Sequence, residues 1–381
     1  MAFVSGPRQV GKTTVCRNHA SVYANWDNLD DRERILAGPK AMVERLRLDR
    51  LTPSKHVVVF DELHKYARWK NFLKGFFDTY ANQARIIVTG SSRMDTYRRG
   101  GDSLMGRYFL YRMHPFSVAE VLDQTLPDAK HIIRKPREIR AVELEALWEH
   151  GGYPEPFLKR SAGFTRRWQA LRLQQLVRED VRDFTQIEQI AQLEVLVKLL
   201  QSRSAHQLVY SNLARDVRIS VDTARRWIAA LSSLHLGFLV KPWFKNVARS
   251  LRKEPKWFLR DWAAIEDPGE RAETFVGCHL LKAVEGWTDL GFGDFQLGYL
   301  RDKEQREVDF VVIRDGKPWF LVEVKYRDEA MSGALQHFQE QLKAPFAFQA
   351  VIGADYVDAD CFATSRGPMI VPATTLLSQL M

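Results

Sequence analysis

Three short apolar runs, Ala2–Val4, Val57–Phe60 and Ile86–Val88, punctuate the start of the chain. Each is continuous rather than alternating and the last two are built on Val and Ile, the pattern of strands covered on both faces in a parallel α/β sheet. Beyond residue 156 the period becomes that of amphipathic helices, over about Phe164–Arg182 and Ile187–Gln201. A short helix from Ser211 to Val217, a three-residue turn and a longer helix from Val221 to Leu234 come next. Ser220 is placed as N-cap, and Ala224, Trp227, Ile228 and Leu231 form an inward stripe. Leu236–Arg260 reads as a β-hairpin wing. The last third opens with a helix from Gly269 towards Ala283, then gives two strands, Glu307–Ile313 and Trp319–Lys325, joined across Asp315-Gly316-Lys317 as a hairpin.

A chain of 381 residues exceeds what one core supports, so two or three domains are expected. With 45% hydrophobic and 27% charged residues the composition is that of a folded soluble protein. No apolar run reaches the ~18 residues of a membrane span, and the N-terminus lacks a secretory pattern, so the expected location is the cytoplasm with no membrane partner. Cys16, Cys278 and Cys361 are too far apart for a disulfide framework or a zinc cluster and are expected reduced and packed. The net charge of +9 is concentrated: Ser161–Arg260 holds 18 Lys and Arg against 8 Asp and Glu. Such a segment is either a solvated basic face or the footprint of a surface that meets a polyanion, DNA above all.

The first strand runs into Gly6-Pro7-Arg8-Gln9-Val10-Gly11-Lys12-Thr13-Thr14, which is G-x-x-x-x-G-K-[ST] between a strand and a helix expected over Lys12–Ala20. The glycines let backbone N–H groups surround phosphate oxygens, and the helix N-terminus adds partial positive charge. Lys12 is expected on the β- and γ-phosphates of ATP and Thr13 on Mg²⁺. Val57–Phe60 ends in Asp61-Glu62: Asp61 is expected to hold Mg²⁺ through water, and Glu62 to polarise the attacking water. Ile86–Val88 ends in Thr89-Gly90-Ser91-Ser92, and Thr89 or Ser91 would sense the γ-phosphate if this strand lies between the other two.

These motifs, with Asp61-Glu62-Leu63-His64-Lys65, Leu104-Met105-Gly106-Arg107 and Gly151-Gly152-Tyr153-Pro154-Glu155, resemble the AAA+ and STAND-related ATPases of archaea and bacteria that carry a C-terminal nuclease-like domain. The resemblance covers nearly the whole chain. It implies that Arg107 is an arginine finger for a neighbouring subunit's phosphates in a homo-oligomer, and that Gly152-Tyr153-Pro154 is a lid segment touching adenine. Members of that family carry some tens of residues ahead of the first strand, which here begins at residue 2, so the base pocket and subunit contacts are the least specified features. The expected fold class is α/β: a P-loop NTPase, AAA+-like parallel sheet with a helical lid, a winged helix and a C-terminal α/β restriction-endonuclease-like domain. The expected boundaries are 1–145 for the ATPase core, 146–200 for the lid and connector, 201–260 for the winged helix and 261–381 for the nuclease-like domain.

In the C-terminal hairpin, alternation puts Glu323 and Lys325 on one face, and Asp309 can reach that face from the partner strand. An acid opposite Glu-x-Lys resembles the PD-(D/E)xK nuclease core shared with archaeal Holliday-junction resolvases. By that resemblance Asp309 and Glu323 hold Mg²⁺, Lys325 steadies the attacking hydroxide, and Glu273 on the preceding helix is the fourth member. The expected function is ATP-dependent DNA processing, with an ATPase coupled to a metal-dependent endonuclease and branched DNA as the substrate the resemblance suggests. Two alternatives stand beside it: a nucleotide-dependent DNA- or protein-binding switch that cuts nothing, and a signalling ATPase acting through protein assembly. The arginines of the second helix, Arg225 and Arg226, and the basic residues of the wing, Lys241, Lys245, Arg249, Arg252, Lys253 and Lys256, would contact DNA.

Overall fold

The computed structural model describes residues 1–46, 55–90, 104–180, 189–244, 254–327, 330–364 and 367–381, and the chain divides into two compact units, Met1–His114 and Pro115–Met381. The first is a five-stranded sheet of β1 (Ala2–Ser5), β2 (Val22–Asn25), β3 (His56–Asp61), β4 (Ala84–Thr89) and β5 (Phe109–Arg112), in the order β2-β3-β4-β1-β5. All four pairings are parallel. β4 therefore lies between β1 and β3, the arrangement that the sensor reading of Thr89 required.

Burial explains why the sequence settles here. Val58, Val59 and Phe60 of β3 are fully buried, each side chain contributing about 1.5–3 kcal/mol relative to exposure. The helix Trp69–Tyr80 turns Trp69, Phe72, Leu73 and Phe76 inward. Phe60 meets Phe72 and Phe76 edge-on at centroid distances of 5.4 and 5.3 Å, the offset arrangement that ring quadrupoles favour.

The second unit is built on a seven-stranded sheet: β6 (Gly237–Pro242), β7 (Lys256–Leu259), β8 (Phe295–Arg301), β9 (Glu307–Arg314), β10 (Lys317–Lys325), β11 (Phe346–Val351) and β12 (Met369–Pro372), in the order β12-β11-β10-β9-β8-β6-β7. The expected hairpin is β9–β10, with Val322 opposite Phe310. Its turn places Asp315 at φ 50° and Gly316 at φ 76°, the left-handed pair that a tight two-residue connection demands. The helix Pro268–Asp289 covers one face. Asp267 caps it through Oδ1, which accepts from the N–H groups of Gly269 and Glu270 at 2.8 and 2.9 Å. It lies so close to β9 that a Cβ on Gly277 would stand 2.8 Å from Phe310 Cζ. The helix Gly333–Leu342 covers the other face, burying Leu335 and Phe338 against Val311, Leu321 and Ala347.

The two-helix segment comprises Tyr210–Val217 and Val221–Ser233. Ser220 Oγ accepts from the N–H of Thr223 at 3.0 Å, and the expected stripe of Ala224, Trp227, Ile228 and Leu231 is buried. The expected hairpin follows as the antiparallel pair β6–β7, and β6 also pairs in parallel with β8, which makes the hairpin the edge of the large sheet. Its composition gives the reason: Trp257, Phe258 and Leu259 are buried on both faces, which a solvated wing could not provide. Lys241 is exposed on β6, whereas Lys245, Arg249, Arg252 and Lys253 lie outside the described residues, as do Ser91 and Ser92. No described helix is long and apolar enough to cross a membrane.

Candidate functional site

The loop between β1 and the helix Lys12–Asn18 is shaped by three left-handed residues, Gly6 at φ 144°, Gln9 at 63° and Gly11 at 97°. At Gly6 any side chain is excluded, since a Cβ would lie 2.2 Å from the carbonyl oxygen of Met113. Pro7 and Val10 are buried under the loop while Arg8 and Gln9 face solvent. Lys12 is 8% exposed, and its ammonium donates to the carbonyls of Gly6 and Pro7 at 2.8 and 2.7 Å. Burial pulls its pKa down to about 8, against the opposing pull of Glu62 and Asp61. Thr13 and Thr14 are exposed at the helix start.

Asp61, 2% exposed at the end of β3, is where these elements meet. Thr13 Oγ1 donates to its Oδ2 at 2.8 Å, Tyr23 Oη donates to the same oxygen, and Thr89 Oγ1 donates to Oδ1. Register brings the partners in: β2 and β4 flank β3, with Asn25 opposite Asp61 and Val88 opposite Phe60. Tyr23 was not among the residues singled out from the sequence. Burial and its bond to Asp61 raise its pKa, and Arg17 lies 4.6 Å over its ring. Glu62 follows in a left-handed conformation at φ 55°, paired with Lys65 at 3.3 Å. A hydroxyl, a buried carboxylate and a glycine-lined loop with a lysine form a donor set that fits triphosphate oxygens and a hard divalent ion.

Arg107 and Pro154 have partners of their own. Arg107 forms a two-point ion pair with Asp78 at 2.7 and 3.1 Å. Pro154 opens the helix Pro154–Lys159 in the second unit, next to a fully buried Tyr153 packed on Trp168 and Arg172.

In the second unit the four singled-out residues converge. Lys325 Nζ is 3.4 Å from Glu323 Oε1, as alternation along β10 requires. Asp309 Oδ2 accepts from the N–H of Val324 at 2.9 Å across the hairpin. A residue that sequence reading had placed on the wing completes the group: Lys256 Nζ lies 2.9 Å from Glu273, 2.5 Å from Glu307 and 3.3 Å from Asp309. Glu307 is also held by Arg301 at 2.7 Å. Burial alone would lower the pKa of Lys256, but Glu273, Asp309 and Glu307 outweigh it and hold the ammonium charged. Burial, with Asp309 adding to it, pushes the Glu273 and Glu323 carboxyls up. Among the described residues no three His, Cys, Asp or Glu side chains are disposed to hold a metal ion. Oxygens that ligate Mg²⁺ converge at ~2.1 Å on one point, and here three of the carboxylates converge on an ammonium instead, so they do not fit a metal in this arrangement.

Residues 1–122 match a family described as AAA domain. The first unit falls within that match and is similar to an AAA domain. Residues 142–265 and 268–365 of the rest match two families described as domains of unknown function, DUF8612 and DUF4143. An uncharacterized protein of Mycobacterium tuberculosis and another of Mycobacterium bovis are each 25% identical over 346 residues, covering 84% of this chain and 69% of theirs. Among solved structures, the Aeropyrum pernix ORC1 protein in complex with DNA overlaps 72% of this chain and 86% of its own at 14% identity and TM-score 0.32. The S. cerevisiae Hsp104–ADP complex overlaps 76% and 40% at 14% identity and TM-score 0.26. Likenesses that distant add nothing to what the geometry gives.

Proposed function

We propose that the chain is an ATP-dependent DNA-binding switch: its first unit binds and hydrolyses MgATP, and its second unit, a nuclease-like sheet joined to a two-helix module, holds DNA. The observation that carries the first half is Asp61, on which the loop threonine, β2 and β4 converge through three hydroxyls. In this reading Gly6–Thr14 cradle the phosphates, with Lys12 on the β- and γ-oxygens. Thr13 and Asp61 would hold Mg²⁺, Glu62 would polarise the attacking water and Thr89 would report the γ-phosphate. A magnesium ion held there would supply charge neutralisation at the transferred phosphoryl group. Arg107 would serve a neighbouring subunit only after exchanging Asp78 for a phosphate.

Two readings of the second unit compete. Metal-dependent cleavage of branched or linear DNA would use Glu273, Asp309, Glu323 and Lys325, and binding without cleavage would use the same fold as a scaffold. Lys256 among the carboxylates favours the second. Support for DNA as partner comes from the basic excess of residues 161–260 and from Arg225 and Arg226, exposed on the helix Val221–Ser233. The test is ATP turnover together with DNA binding and cleavage on junction, fork and linear duplexes in Mg²⁺. The expected result is turnover that Lys12→Ala abolishes, with DNA bound and left intact. Mg²⁺-dependent cleavage that disappears in Asp309→Ala restores the endonuclease reading, and a chain that binds none of these DNAs at low salt removes DNA as partner.

A further inference from the structure

We infer that Lys256 is a built-in cation standing where the carboxylate cluster of the second unit would otherwise gather a divalent metal ion. The inference rests on reading β9–β10 as a nuclease-like core, the reading that makes a metal the expected occupant.

The geometry is one of substitution. The Lys256 ammonium contacts a carboxylate from the helix Pro268–Asp289, Glu273, and two from β9, Glu307 and Asp309, at 2.5–3.3 Å. Two of its three N–H donors are taken by hydrogen bonds to Glu273 and Asp309, and Glu307 adds an ion pair. The side chain is 4% exposed, so solvent does not compete for these contacts. A divalent ion placed among the same oxygens would face a charge of its own sign at contact distance, and its short ligand bonds need the oxygens drawn closer than an ammonium leaves them.

The lysine is also fixed from behind. Its backbone pairs with Val240 on one side and bridges to Gln207 on the other. Gln207 donates to Tyr299 Oη at 3.1 Å, and Tyr299 Oη donates to the carbonyl of Glu254 at 2.7 Å. The Tyr299 ring lies 5.6 Å from the ammonium, adding cation–π attraction. Withdrawing Lys256 would require breaking this edge of the sheet. A second feature shows what the cluster lacks: Glu323 is 9% exposed, one of its oxygens meets Lys325, and the other is buried with no hydrogen-bond partner. That oxygen is an unused acceptor, available to a cation once the ammonium is gone.

The direct test is Mn²⁺ binding to the full chain without nucleotide, read from loss of the free Mn²⁺ signal in electron paramagnetic resonance. The expected result is no stoichiometric Mn²⁺ on the unmutated protein, one Mn²⁺ per chain on Lys256→Met, and loss of that ion in Lys256→Met/Asp309→Asn. Because Lys256→Met leaves carboxylates uncompensated, Lys256→Met/Glu307→Gln provides a variant with the charge rebalanced and the same expected gain. One Mn²⁺ on the unmutated protein, removed by Asp309→Asn, overturns the inference. So does a folded Lys256→Met or Lys256→Met/Glu307→Gln protein that binds none. No DNA enters this measurement, so a protein that shows the expected Mn²⁺ pattern and binds no DNA retires the proposed function and leaves Lys256 as the resident cation.

Discussion

Asp61 divides three hydroxyl donors between two oxygens, and each donor comes from a different element: Thr13 from the loop helix, Tyr23 from β2 and Thr89 from β4. A carboxylate so surrounded is held in one orientation by donors from three elements. Tyr23→Phe removes one of the three without opening a cavity, since the ring and its Arg17 partner stay. The expected outcome is a fall in kcat/KM for MgATP of about 3–10-fold, the worth of one hydrogen bond of ~1 kcal/mol, with the fold retained. Steady-state turnover against MgATP concentration checks it, and unchanged kinetics would show that Tyr23 is not a positioning residue. The Gly6–Thr13 loop and Asp61 could be singled out in the sequence because their pattern is local, fixed by spacing along a few residues. Tyr23 was not, because Val22–Asn25 is a four-residue strand between a helix and the next loop, and its relation to Asp61 exists only through pairing. Lys256 was misplaced for another reason. Its neighbours in sequence are basic, yet Trp257-Phe258-Leu259 directly after it marks a buried strand, and that was the available signal.

Elements in the second unit are joined by buried polar groups whose protonation matters. His279, on the helix Pro268–Asp289, sits with Nδ1 2.7 Å from the carbonyl of Phe275 and with Nε2 accepting from the N–H of Val118 at 3.0 Å. Val118 opens a helix, so this N–H lacks a partner within its own turn, and the imidazole supplies one. Both ring nitrogens are thus used in the neutral form. Burial, helped by Lys282 and opposed by the Phe275 bond, pulls the His279 pKa from 6.5 down to about 3. The folded state therefore binds fewer protons than the unfolded chain between these values. The stabilising contribution is complete above pH ~6.5 and is lost as pH falls towards 3, at up to ~1.4 kcal/mol per pH unit. Urea midpoints at pH 7 and pH 4.5 should separate more widely for the unmutated protein than for His279→Gln, and equal separations would remove His279 as the cause. At this scale the long helix and the β9–β10 hairpin were readable from period and turn chemistry. The joining of β6–β7 to β8 was not, since a parallel edge contact between distant segments leaves no local pattern.

Across the whole molecule the charge of +9 is gathered in one stretch of about a hundred residues, and a nucleotide-driven switch needs the bound nucleotide to alter what that stretch does. Arg225 and Arg226 project from the helix Val221–Ser233, Arg225 lying 5.2 Å over the Tyr210 ring. If both neutralise phosphates, each releases a counterion, and log K against log salt should flatten by ~0.9 per contact removed. Arg225→Gln/Arg226→Gln is therefore expected to lower the slope by ~1.8 and to weaken binding similarly on unrelated duplex sequences. The nucleotide adds the second condition. ATP and ADP can shift DNA affinity only through a coupling free energy between two sites, typically 5–150-fold. That difference should vanish in Lys12→Ala while the salt slope stays intact. Fluorescence anisotropy on one duplex, with and without nucleotide at three salt concentrations, measures both quantities. A flattened slope with no nucleotide effect would leave a DNA-binding surface without the switch. A nucleotide effect that survives Lys12→Ala would place its origin outside the Gly6–Thr13 loop.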